Sequence, residues 1–89
     1  MQQTTNITET KVYRKGDNQA RSNCKSILFV NTGFAPVQVQ QKMLYQGDFW
    51  QISQDNGYID ETVYDISFQS STLYDSMVNG YALTVSRIK

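Results

Sequence analysis

Hydrophobic and polar residues alternate along much of the chain. Residues 37–40 read Val-Gln-Val-Gln, and residues 49–53 read Phe-Trp-Gln-Ile-Ser, which puts Trp50 and Ile52 on one face. Tyr64, Ile66 and Phe68 share a face opposite Asp65 and Ser67. Tyr81, Leu83 and Val85 share another, opposite Ala82, Thr84 and Ser86. A period of two is the mark of a strand with one buried face. The run Ile27-Leu28-Phe29-Val30 is apolar on both faces. It is expected to be a central strand covered on two sides.

Turn signals separate these runs: Gly16-Asp17-Asn18, Asn31-Thr32-Gly33, Gln46-Gly47-Asp48, Asp55-Asn56-Gly57 and Asn79-Gly80. Asn56-Gly57 suits a type I′ hairpin turn, whose two central residues both take positive φ. The single proline, Pro36, stands just before the alternating run at 37, where a missing N–H does least harm. Helical periodicity is absent. Residues 71–78 are expected to form a short turn of helix capped by Ser71 or Thr72, or a loop. Short strands at close, regular spacing predict an all-β chain. The expected fold is a small antiparallel β-sandwich of jelly-roll or immunoglobulin-like type, with a small β-barrel as the alternative. Residues 1–10 open with a polar, aperiodic stretch and are expected to be a flexible N-terminal arm; residues 11–89 form the single β domain.

Composition narrows what such a domain does. At 89 residues, the chain is one small domain that buries a modest share of its surface. Cys24 is the only cysteine and histidine is absent. An internal disulfide is therefore impossible, and a dedicated transition-metal site lacks its usual ligands. Packing or association with other subunits remains as a source of stability, a first pointer to an oligomer.

The formal charge is zero but unevenly spread. Lys11, Arg14, Lys15, Arg21 and Lys25 give residues 1–25 a net +3 against Glu9 and Asp17. Residues 26–86 carry a net −5, with Lys42 their only cation, and Arg87 and Lys89 close the chain at +2. The first residues lack a signal-peptide pattern, and no apolar run approaches the ~20 residues of a membrane span. The expectation is synthesis in a cytoplasm, with no membrane association.

Catalytic patterns fail one by one. Without histidine, Ser-His and Cys-His arrangements cannot form. Asp60-Glu61 is the only adjacent carboxylate pair, and strand neighbours point to opposite faces. No glycine-rich phosphate loop exists. Asp55, Asn56 and Asp60 offer oxygens for calcium but not at the spacing of a calcium loop. The chain is expected not to be an enzyme and to carry no cofactor.

Binding readings remain. Exposed tyrosines and tryptophans on a sandwich stack on sugars, and the candidates are Tyr45, Trp50, Tyr58 and Tyr74. Trp50 shares a face with Ile52, which favours a core role for it. A single-strand nucleic-acid-binding barrel would use the basic residues of segment 11–25 and exposed aromatics. It ranks lower, because the acidic body repels phosphate and most aromatics alternate into the core. For contacts with other macromolecules the candidate residues are Arg14, Lys15, Arg21, Tyr45, Tyr58 and Tyr74.

Residues 27–68 also carry a recognisable order. An apolar strand ends in Asn31-Thr32-Gly33, and a Val-x-Val strand follows at 37–39. Leu44, Gly47-Asp48 and the Trp50–Ile52 strand come next, and Asp60-Glu61-Thr62 leads to Tyr64-Asp65-Ile66-Ser67-Phe68. This order resembles small β-sandwich accessory virion proteins of tailed bacteriophages, notably capsid and tail structural proteins of crAss-like phages. The turn before the Trp50 strand departs from the family in having Gln46-Gly47 rather than Pro-Gly. The resemblance implies a non-enzymatic structural protein made in the host cytoplasm and located in the virion. It would decorate or brace the capsid or the neck and tail in many copies, through contacts with virion proteins.

Overall fold

The computed structural model describes residues 8–53, 59 and 61–88. Among these, eight strands and one helical turn follow in the order β1 (Thr8–Tyr13), β2 (Gln19–Arg21), β3 (Ser26–Asn31), β4 (Val37–Val39), β5 (Lys42–Leu44), β6 (Phe49–Ser53), β7 (Val63–Phe68), α1 (Thr72–Asp75) and β8 (Leu83–Ile88). Two four-stranded sheets form, in the orders β1-β8-β3-β6 and β2-β7-β4-β5. Every strand pair is antiparallel. Successive strands cross between the sheets except at the β4–β5 hairpin. This nested order is that of a jelly roll, which decides among the architectures expected from the sequence. The sheets remain open at their edges, so the arrangement is a sandwich and not a closed barrel.

The alternation read from the sequence accounts for most of the core. Val37 and Val39 are buried around Gln38, and Tyr64 and Ile66 are buried around Asp65. Leu83 and Val85 point inward from β8. Phe29 stands at the centre with no exposed surface. Its ring stacks on Trp50 at 5.9 Å and meets Tyr64 edge-on at 5.2 Å. These three side chains come from β3, β6 and β7, so the aromatic cluster ties the two sheets together. Each such pair contributes about 0.5–1.5 kcal/mol beyond burial.

Two expectations need correction. The strand at 27–30 is not covered on both sides. Ile27 and Phe29 are buried, but Leu28 and Val30 are only half-buried on the outer face. Ser86 and Thr84 of β8 sit opposite them in register, so the outer face is mixed rather than sealed. Residues 8–10, assigned above to a flexible arm, form the first half of β1 and pair with Ile88, Arg87 and Ser86. Residues 1–7 lie outside the described residues. Phe34 and Phe49 are exposed, Phe49 on the face opposite Trp50. Of residues 71–78, expected as a short helical turn or a loop, Thr72–Asp75 form α1 with Ser71 at the N-cap position.

Two turns are built on one plan. In Arg14-Lys15-Gly16-Asp17, Asp17 N–H donates to Arg14 C=O and the Asp17 carboxylate accepts from Arg14 N–H, both at 2.9 Å. In Tyr45-Gln46-Gly47-Asp48 the same pair of bonds links Asp48 and Tyr45 at 2.8 and 2.9 Å. The glycine occupies the third position at positive φ, +104° at Gly16 and +85° at Gly47, where a side chain would be strained. The Gly-Asp dipeptides of the sequence thus mark two turns locked from within. Both lie at the same end of the sandwich.

Candidate functional site: the stapled loop end

The jelly-roll order sends the β1–β2, β3–β4, β5–β6 and β7–β8 connections to one end. Of the eight large apolar side chains exposed among the described residues, Phe34, Tyr45, Phe49, Leu73 and Val78 share this end. Scattered apolar side chains on a surface need no explanation. Their concentration on one end does, because such patches mark interaction sites. Phe49, with two thirds of its surface open, and Met43 border a shallow depression with Gly47 between them.

The loops that carry these residues are fastened to one another. Asn31 is buried at the top of β3. Its amide nitrogen donates to the carbonyls of Ala35 and Leu44, both at 2.9 Å. Its amide oxygen accepts from Gly33 N–H at 3.1 Å. One side chain thus joins the β3–β4 loop to the end of β5. Backbone bonds complete the lacing. Asn31 N–H reaches Asp48 C=O, Gly47 N–H reaches Asn31 C=O, and Ala35 N–H reaches Gly80 C=O. Gly80 allows this because a Cβ there would run into the backbone of Tyr74.

A polar tie adds the first loop. Lys15 Nζ lies 3.0 Å from Asp75 Oδ1, and the Tyr81 hydroxyl donates to the same oxygen at 2.7 Å. The Tyr81 hydrogen bond, then the one from Lys15, holds the Asp75 carboxyl below its ordinary value. The bond to Asp75 raises the Lys15 ammonium in turn. Both side chains are exposed, so the tie positions the loops more than it stabilises the fold. The loops at this end are therefore tied to one another by side-chain and backbone bonds.

The structure divides the residues singled out from the sequence. Arg14, Lys15 and Tyr74 meet in one groove of about 300 Å³ beside Val78 and Tyr81. Tyr45 stands exposed on the Gly47 turn at the same end. Arg21 lies at the opposite end, beside Lys11, Glu9 and Arg87. Tyr58 lies outside the described residues, as do Asp55, Asn56, Gly57 and Asp60. The basic first third is thus split between two ends and forms no continuous stripe for a phosphate backbone. Among the described residues no three acidic, cysteine or histidine side chains gather as a metal set. No helix of the described residues is long and apolar enough to cross a membrane.

Sequence reasoning passed over Arg87, which is 4% exposed and buried among core side chains. Its Nε donates to Arg21 C=O at 2.9 Å and its Nη2 to the Tyr13 hydroxyl at 2.6 Å. Glu9, its partner in the β1–β8 register, stands 3.7 Å from Nη1. The signal was present in the chain, since Arg87 continues the inward phase of Leu83 and Val85. It closes the end of the core opposite the loop platform.

An open jelly roll with one stapled, aromatic-rich end defines the class of domain. Compared with protein-family models, curated proteins and solved structures, the chain matches none of them.

Proposed function

We propose that the protein is a non-enzymatic structural component of a bacteriophage particle, present in many copies and decorating or bracing the capsid or the neck and tail. The observation that carries this reading is the gathering of Phe34, Tyr45, Phe49, Leu73 and Val78 on fastened loops at one end. Aromatic side chains are enriched at protein–protein interfaces and dominate their energetics. An apolar end flanked by Arg14 and Lys15 on one side and Asp48 on another suits contact with a protein surface. The jelly roll is also an architecture that capsid domains use, which is support by analogy of fold alone. Repetition in a symmetric shell converts weak single contacts into firm attachment.

Quantitative mass spectrometry of purified phage particles from the sample that carries the gene tests this reading. The chain is expected in the particle at a copy number of the order of a structural protein. Its absence from particles that hold their full set of head and tail proteins overturns the proposal.

A further inference from the structure

Each sheet of the sandwich ends in two edge strands, and among the described residues β1 is the longest of the four. It runs for six residues and pairs with β8 along its whole length, without a bulge. On its other side no strand is hydrogen-bonded to it among the described residues. An edge of this kind presents a row of N–H and C=O groups that can take a further strand. Proline, a bulge or very short length commonly closes such edges. β2 and β5 have only three residues each, whereas β1 has none of these devices.

The side chains of β1 decide what can pair there. Tyr13 is buried, and the residues from Thr8 to Val12 are exposed. Glu9 and Lys11 share the face of Tyr13, while Thr8, Thr10 and Val12 share the other. Glu9 lies 3.7 Å from Arg87 Nη1 with half of its side chain exposed. Lys11 Nζ stands 4.7 Å from the centre of the Tyr13 ring. The two charges are opposite in sign and symmetric about Thr10.

Two copies related by a two-fold axis pair antiparallel, and each residue then faces one on the same side of the sheet. An axis at Thr10 sets Glu9 against Lys11 of the second copy, twice. It also sets Thr8 against Val12, and Thr10 against itself. Opposite charges and paired threonines are favourable cross-strand partners. An axis one residue away, at Glu9 or at Lys11, sets like charges directly opposite, which is unfavourable. The charges thus discourage the neighbouring registers and admit this one.

We infer that β1 is a self-association edge: a second copy of this chain adds its own β1 antiparallel, with the two-fold axis at Thr10. The two β1-β8-β3-β6 sheets then join into one continuous sheet. The contact is isologous, so it closes at two copies and does not propagate. Main-chain hydrogen bonds supply the affinity, and the Glu9–Lys11 pairs supply the register. This inference does not rest on the docking role of the loop end, since the two surfaces share no residue.

Sedimentation velocity on the full chain tests for the dimer, and single cysteines test its register. The wild type is expected to dimerise with a midpoint below about 1 mM. Lys11→Glu, at an exposed position, turns both charge pairs into repulsions. It is expected to weaken the dimer by about tenfold or more while leaving the melting midpoint in place. Under mild oxidation Thr10→Cys is expected to form a disulfide-linked dimer, because the axis brings the two sulfurs opposite each other. Val12→Cys, whose two copies are offset by about 13 Å along the strands, is expected to stay unlinked on a non-reducing gel. Native Cys24 is buried and does not compete. The inference is overturned if the wild type is monomeric at about 1 mM, or if Lys11→Glu dimerises as tightly as the wild type. It is equally overturned if Val12→Cys cross-links as readily as Thr10→Cys. None of these measurements involves a phage particle, so their failure is distinct from failure of the docking role.

Discussion

Arg87→Met is expected to destabilise the domain by about 2–5 kcal/mol, the cost of leaving the buried Tyr13 hydroxyl and the part-buried Arg21 C=O without their donor. The guanidinium bonds Arg21 C=O and the Tyr13 hydroxyl, and the Arg87 and Tyr13 side chains are both buried. Methionine is of similar length and fills much of the space, so the loss is one of hydrogen bonding more than of packing. A domain of this size shifts its melting midpoint by about 4–8 °C per kcal/mol. The midpoint of Arg87→Met should therefore fall by at least about 8 °C. Adding Tyr13→Phe removes one of the two orphaned groups, so the double variant should lose less than the sum of the singles. A variant Arg87→Met within about 0.5 kcal/mol of wild type, the range of ordinary surface substitutions, would show that the arginine is not part of the core.

Phe29→Ala should cost about 3–5 kcal/mol, the range for deleting a fully buried aromatic ring. Domains of this kind are stable by only about 0.05–0.15 kcal/mol per residue, so the substitution removes much of what holds this one together. The ring is the link between Trp50 on one sheet and Tyr64 on the other. Urea unfolding followed by Trp50 emission and by far-ultraviolet circular dichroism gives two views of the same loss. Both midpoints are expected to move down together. A shift confined to the fluorescence would mean that Phe29 orders the tryptophan without joining the sheets.

The difference in visibility between these two residues has a physical origin. Phe29 sits in a run of four apolar residues, and the need to bury such a run is plain from the letters alone. The same holds for Val37 and Val39 and for Tyr64 and Ile66, whose alternation is pinned to one face. Arg87 stands in phase with Leu83 and Val85, but its charge argues against burial until Tyr13 and Arg21 C=O are seen to satisfy it. β1 was hidden for a related reason. It is an edge strand with a single hydrogen-bonded neighbour, and its residues from Thr8 to Val12 are exposed. An edge strand needs little apolar burial, and polar residues there also discourage unwanted pairing. Its pattern, Thr-Glu-Thr-Lys-Val-Tyr, therefore resembles a solvated arm more than a strand.

The candidate site was legible only in pieces. Tyr45, Tyr74, Arg14 and Lys15 stood out by residue type, and the Gly-Asp turns stood out by their backbone demands. That these belong to one end, and Arg21 to the other, depends on strand order, which no local pattern carries. Nor could the sequence show that Asn31 joins two connections, because its three bonds reach residues brought together only by the fold. Phe49 stands opposite Trp50 in the alternation, whereas nothing local marked Phe34 as exposed. Their exposure adds two aromatic rings to the loop end.

The docking role of the loop end is tested most directly by co-sedimentation with purified phage particles. Three proteins are compared: wild type, the double substitution Tyr45→Ser with Phe49→Ser, and Arg21→Ser at the opposite end as a control. All three positions are exposed, so folding should be preserved, and a melting curve for each verifies it. Wild type and Arg21→Ser are expected to sediment with the particles. The double variant should lose at least about 2 kcal/mol of binding, the scale of an aromatic hot spot, which is about 30-fold in affinity. A double variant that sediments as well as wild type, or a wild type that stays in the supernatant, would contradict the assignment of the loop end as the docking surface.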